Sequence, residues 1–249
     1  MPKKRNLVQT SVPRDAGVGY GVLNNSRYCI SPIRKNAMER YFGTYQTFRT
    51  ASRQDAAALL DSDNLVGDEY TIDCTLEGGS HKAWMVNRFG NRIGYFDPEF
   101  SRELSLKKAQ NMTLVGILSF VAFSEQPEPG EYWGQAAVIG YAPQEKTAFD
   151  PFVHGIANLM GKGIRPQVNF EGRAVDQIID SQGQWLPSNR EPIPEKQKGM
   201  AILKRKRSFT DGLVEQGRKG NKGCYLLSWA FLLALVALVV FGLKSCGVF

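Results

Sequence analysis

The chain has 249 residues, 43% of them hydrophobic and 22% charged, with a formal net charge of +7. Such a composition supports a packed core and excludes a wholly disordered chain. The excess charge is confined to residues 196–222, which carry nine Lys and Arg against two acids, while the remainder balances at 22 of each sign. The basic character therefore belongs to one segment, and global charge gives no argument for a domain that coats nucleic acid.

In chain order, residues 1–30 read as a loop-rich lead-in, broken by Pro13, Gly17, Gly19, Gly21 and Asn24-Asn25. Residues 31–62 read as a helical segment. Met38, Tyr41, Phe42, Tyr45 and Phe48 recur at three- and four-residue steps and predict one aromatic helix face. Ser52, with Asp55 three residues on, predicts the capped start of a second short helix.

From Glu69 the period changes to two. Tyr70, Ile72, Cys74 and Leu76 alternate with Thr71, Asp73, Thr75 and Glu77, which predicts a half-buried strand. Gly78-Gly79 turns it into a second strand at residues 83–89, and Gly90-Asn91 turns that into a third at residues 92–96. Asp97-Pro98 predicts a helix N-cap followed by proline at the first helical position. Residues 112–123 are almost wholly apolar and suit a central strand, and residues 132–141 read as a last strand. Short sequential strands predict antiparallel hairpins and a small barrel over residues 67–145, closed so as to remove its edges. A short helical segment follows at 149–182, its first helix opened by Asp150-Pro151, and then a linker at 183–222 with the basic cluster.

Residues 224–243, CYLLSWAFLLALVALVVFGL, hold no charge and no proline. Twenty residues of helix span about 30 Å, the thickness of a hydrocarbon core. Tyr225 and Trp229 stand near its start, where amphipathic aromatics favour the interface. The sequence thus predicts a single C-terminal transmembrane helix. The cations Lys204, Arg205, Lys206, Arg207, Arg218, Lys219 and Lys222 precede it and only Lys244 follows. The positive-inside tendency then places the chain in the cell membrane as a single-pass, tail-anchored protein with its N-terminal part in the cytosol. Those cations are expected to rest on anionic lipid head groups. The fold class expected is α+β: a small antiparallel β-barrel with one inserted helix, flanking helices and the membrane helix.

The stretch from Ala83-Trp84-Met85-Val86 to Gly90-Asn91-Arg92-Ile93-Gly94-Tyr95-Phe96, followed by Pro98-Glu99, resembles the HIRAN domain, over roughly residues 67–143. In that family an NA-x-x-V strand, a glycine turn, an IGYL strand and a helix build a small β-barrel. HIRAN domains occur in remodellers, helicases and nucleases, and some grip a free single-stranded DNA end. Where the family carries Asp and Asn before the alanine, this chain has Ser80-His81-Lys82. The resemblance implies a ligand face made from His81, Lys82, Trp84, Arg88, Arg92 and Tyr95, taking nucleic acid or protein. Alternation groups Trp84 with Val86 and Arg88, so Trp84, Arg88, Arg92 and Tyr95 are not all expected on one face.

No catalytic signature is present. With two histidines, His81 and His154, and no C-x-x-C pair among four cysteines, neither a nucleophile–base pair nor a metal site is legible, and no cofactor is expected. Two classes of function remain: a tail-anchored, non-enzymatic binding protein with a cytosolic HIRAN-like domain, or a membrane-bound scaffold whose barrel is only structural.

Overall fold

The computed structural model describes residues 40–170, 173–212 and 229–238. The chain divides into two units, residues 1–35 and residues 36–249, and every described residue belongs to the second. The loop-rich lead-in, the cations Arg218, Lys219 and Lys222, and residues 224–228 and 239–243 of the apolar tail lie outside the described residues.

Six strands close into an antiparallel barrel: β1 (Phe42–Arg49), β2 (Glu69–Glu77), β3 (Ser80–Val86), β4 (Arg92–Phe96), β5 (Thr113–Ser124) and β6 (Glu131–Tyr141). Their order round the barrel is β2-β3-β4-β1-β6-β5, and β5 returns to β2 through Glu69↔Ile117 and Thr71↔Val115. Beyond that contact the far half of β5 takes a seventh strand, β7 (Met200–Lys204), as its neighbour. The barrel is accompanied by the helices α1 (Arg53–Leu60), α2 (Pro98–Ala109), α3 (Lys146–Gly161) and α4 (Ala174–Asp180). The expected α+β barrel with an inserted helix is present.

Local chemistry starts these elements as anticipated in two places. The Ser52 hydroxyl accepts from the Asp55 amide at the start of α1, and the Asp97 carboxylate accepts from the Phe100 amide ahead of Pro98 at the start of α2. Ser101 then ties α2 to the sheet, donating to the Phe96 carbonyl and accepting from the Ala83 amide, both at 3.0 Å.

There are two cores, one on each side of the sheet. Inside the barrel, Phe48, Met85, Ile93, Phe96, Leu118, Val121 and Val138 pack with Leu59 of α1 and Phe100 and Leu104 of α2. Outside it, Ile117, Ala137, Ile139 and Tyr141 are covered by Phe149, Phe152, Val153 and Ile156 of α3. Strands β5 and β6 are thus buried on both faces, which explains their nearly continuous apolar sequence.

The same two-sided burial corrects part of the reading of residues 31–62, of which 31–39, with Met38, lie outside the described residues. The aromatic positions from Phe42 to Phe48 form strand β1, not a helix face. Phe42 and Phe48 join the inner core, while Tyr45 packs on the outer one. Three aromatics on two faces, three residues apart, imitate a helical repeat. A second correction concerns α3, which begins at Lys146 and carries Pro151 inside it rather than at its start. Phe149 stacks between Tyr41 and Tyr141, with ring centroids 5.4 and 4.9 Å away, and this packing holds the turn ahead of the proline in the helix. Third, the stretch 183–222 is more than a linker, because it contains β7.

The segment between α3 and β7 is held down by Arg165, which is 5% exposed. Its guanidinium lies 4.5 Å from the Tyr45 ring centre and donates to the Pro192 carbonyl at 2.6 Å and to the Gln135 side chain. Of the apolar tail, residues 229–238 are helical and exposed. Among the described residues no helix is long and apolar enough to cross a membrane.

The barrel interior leaves no room for a side chain opposite Phe48. A Cβ on Gly94 would stand 2.5 Å from the Phe48 ring and 2.8 Å from the Arg49 carbonyl. Gly94→Ala is therefore expected to destabilise the barrel by about 1–3 kcal/mol, read as a lower chemical-denaturation midpoint. An unchanged midpoint would mean that this interior is looser than its geometry.

Candidate functional site

The residues singled out by sequence do not all meet. Lys82, Trp84, Arg92 and Tyr95 do, on the outer face of β3 and β4. Trp84 and Tyr95 are cross-strand partners with ring centroids 5.2 Å apart. The Lys82 ammonium lies 4.9 Å from the Trp84 ring centre and 4.7 Å from that of Tyr95, and the Arg92 guanidinium lies 5.1 Å from the Trp84 ring.

Simple alternation sends Arg92 and Tyr95, three residues apart, to opposite faces. A bulge reverses this. The register between β3 and β4 shifts between Met85 and Val86, so that Gly94 opposes Met85 and Arg92 opposes Val86. Ile93 and Gly94 both turn to the interior, where Ile93 is fully buried and Gly94 meets Phe48. The bulge thereby re-aims Arg92 onto the Trp84 face.

A carboxylate that the sequence reading did not single out organises the group. Glu77, at the end of β2, accepts from the Trp84 indole N–H at 3.0 Å and the Thr75 hydroxyl at 2.9 Å, and pairs with Lys82 at 3.2 Å and Arg92 at 3.4 Å. Hydrogen bonds from Thr75 and Trp84, then Lys82, hold its carboxyl below the usual glutamate range. Asp73 completes the set, pairing with Arg92 at 3.0 Å and Lys108 of α2 at 3.5 Å. The signal for Glu77 and Asp73 was the polar side of the β2 alternation, but their partners follow from a cross-strand register that the sequence does not state.

As it stands, the face is a closed lattice of opposite charges around a nearly buried indole. Trp84 is 7% exposed, its ring flanked by Lys82, Arg92 and Tyr95. A nucleobase could stack on it only after one of those side chains moved away.

The remaining candidates lie apart. His81 sits one residue before Lys82 on β3, on the opposite side of the strand, paired with Leu76 in the β2 register. Arg88 lies in the β3–β4 turn, its guanidinium 4.6 Å from the Phe89 ring. Asn87 builds that turn by accepting from the Phe89 and Asn91 amides, each at 3.0 Å.

The basic run divides into two pairs. Lys204 donates to the carbonyls of Leu59, Asp61 and Asn64 at 3.4, 2.8 and 3.1 Å, closing the C-terminal end of α1. Arg207 donates to the Val66 carbonyl at 2.8 Å and pairs with Asp68 at 3.2 Å. These two cations are therefore bonded within the barrel domain. Arg205 and Lys206 are exposed.

A cleft of about 550 Å³ lies between the barrel and α3. On its walls the Tyr141 hydroxyl donates to Asp150 at 2.8 Å, and His154 pairs with Glu69 at 3.3 Å. Burial and the Asp150 carboxylate keep the Tyr141 phenol protonated well above its ordinary range. Among the described residues no cluster of three or more His, Cys, Asp or Glu is placed to hold a metal ion. Comparison with known proteins gives no matching family, no matching curated protein and no matching solved structure.

Two outcomes test this arrangement. Lys204→Ala is expected to cost about 1–3 kcal/mol, since it strands carbonyls at a helix end, while Arg205→Ala changes stability by less than about 0.5 kcal/mol. Equal effects would show that the run is not divided. For Glu77, a depressed carboxyl stabilises the fold above its unfolded pKa, about 4.3, and loses that contribution as pH falls through the lower folded value. The Trp84 indole N–H resonance is thus expected to move with a midpoint below the ordinary glutamate value. Movement centred on the ordinary glutamate value would remove Glu77 from its place at the centre of the lattice.

Proposed function

We propose that this chain is a tail-anchored, non-enzymatic membrane protein whose cytosolic barrel is a binding module. The observation that carries the anchor is the helix at residues 229–238. Trp229, Phe231, Leu232, Leu233, Leu235, Val236 and Leu238 are all at least 47% exposed on it. Large apolar side chains all round a helix have no favourable place in water. The flanking residues extend the uncharged stretch to the twenty of residues 224–243, long enough to cross a bilayer.

For the barrel, the HIRAN likeness remains a proposal. It is supported by the hairpin order of β2-β3-β4, helix α2 and β5-β6 within a closed barrel. The likeness points to nucleic acid as the ligand, but the charge arrangement favours a protein. Lys82 and Arg92 are already paired with Glu77 and Asp73, so they offer a polyanion little unpaired charge. Trp84, Tyr95 and Arg92 are of the residue types that protein interfaces favour. The non-enzymatic reading rests on the same pairing. In the α3 cleft, likewise, Tyr141 is bonded to Asp150 and His154 to Glu69.

The test is made on the full chain in membranes. Alkaline washing is expected to leave it in the pellet, and Leu232→Lys with Leu235→Lys to release it, since each lysine at a helix centre costs about 3 kcal/mol to insert. Release of the unaltered chain would end the anchor reading. In reconstituted vesicles, short single-stranded DNA should bind weakly. Tight, salt-sensitive binding that disappears in Lys82→Ala with Arg92→Ala would instead assign the face to nucleic acid.

A further inference from the structure

The division of the basic run has a geometric consequence for how the barrel meets a membrane. Sixteen residues separate Gly212 from Trp229. A free tether of that length reaches at most about 55 Å, so a tail anchor alone would leave the barrel at any height and any orientation. Residues 200–207 are not free. They enter as β7 on β5, Lys204 fastens to three carbonyls beside α1, the Arg207 side chain fastens to Val66 and Asp68, and the Arg207 amide donates to the Gly161 carbonyl at 2.9 Å.

Between those two fastenings, Arg205 and Lys206 are exposed. Lys206 lies against Gly163, beside exposed Lys162 at the end of α3. Immediately before and after stand the exposed apolar residues Leu203 and Phe209, the latter 85% exposed. Asp211 is turned back onto the Ser208 amide at 2.8 Å as a helix cap. The surface where the chain leaves the barrel thus combines three cations with two uncovered apolar side chains. Cations flanking an aromatic are the composition that seats on anionic head groups with the ring at the acyl boundary.

We infer that residues 203–209 form a two-sided bracket: Lys204 and Arg207 grip the barrel, while Leu203, Arg205, Lys206 and Phe209, joined by Lys162, seat it on the anionic leaflet in one orientation. The inference rests on the tail-anchor reading, because it is from this surface that the chain continues to the tail. The barrel is then held against the membrane, with β2 running away from it. Asp68 at the near end of β2 is gripped by Arg207. Leu76, eight residues along the strand and 67% exposed, stands about 27 Å farther on.

The experiment places a photo-activatable phenylalanine analogue at position 209, or at 76, in the full chain. Each variant is reconstituted in vesicles of phosphatidylcholine alone or with phosphatidylserine. An alkaline wash first separates anchored from unanchored protein, so failure of the anchor is read independently of failure of the bracket. With the chain anchored, position 209 is expected to cross-link to lipid and position 76 is not. Yield at 209 should rise with phosphatidylserine and fall at least about fivefold in Arg205→Gln with Lys206→Gln, two exposed substitutions that leave the barrel folded. Equal lipid cross-linking at 209 and 76 in anchored protein would overturn the bracket. So would a yield at 209 indifferent to both phosphatidylserine and the double substitution.

Discussion

A six-stranded barrel is narrow, and this one is filled around the ring of Phe48. Strand β1 lies between β4 and β6, and the ring occupies the space above a glycine on each neighbour. A Cβ on Gly94 or on Gly134 would approach it to 2.5 or 2.6 Å. Small barrels alternate large and small interior residues because all six strands cannot contribute bulk at one level. Satisfying that constraint at Phe48 determines more than the core. Gly94 must face inward beneath Phe48, and Ile93 is also inward. The strand absorbs two consecutive inward residues by bulging, and the bulge delivers Arg92 to the outer face beside Trp84. The external charge lattice is therefore a consequence of how the interior is filled.

Charge in this molecule is largely spent on itself. Glu77 gathers a hydroxyl, an indole and two cations; Asp73 takes Arg92 and Lys108; Arg207 takes Asp68; Lys204 closes a helix end; Arg165 is sealed between aromatic rings and carbonyls. The exposed ion pairs among these, those of Glu77 and Asp73, each contribute little to stability. They offset one another's charge across the outer face of β3 and β4, and the excess of +7 lies instead in residues 196–222. Arg205 and Lys206, where the chain leaves the barrel, are exposed.

The hairpins were legible because β2, β3 and β4 have one wet side, so their alternation and glycine turns survive in the sequence. The caps of α1 and α2 were legible because Ser52 and Asp97 act on amides two or three residues away. What escaped notice depended on distance along the chain. Strand β1 is covered on both faces, and its aromatics serve two cores at once, so its period of two was lost. Strand β7 is five residues beside a basic run, and its identity as a strand comes from pairing with β5 about eighty residues earlier. For the site, residue types were readable and company was not. Trp84, Arg92 and Tyr95 were singled out, yet their convergence required a bulge, and Glu77 at their centre looked like any exposed strand carboxylate.

The placement of β7 also changes what a membrane tail would do. If residues 183–222 were a linker throughout, the barrel would diffuse around its anchor and binding at the membrane would gain only from local concentration. With β7 in the sheet and Lys204 and Arg207 gripping opposite sides of the α1–β2 connection, the chain leaves the fold at a fixed point beside the end of α3. With a fixed exit the β3–β4 lattice keeps a constant relation to the exit surface, because both belong to one hydrogen-bonded sheet, and seating that surface on the leaflet would orient the lattice. A partner met in the plane of the membrane would then find the same face on every copy, without the ordering cost that a loose tether imposes at the moment of binding.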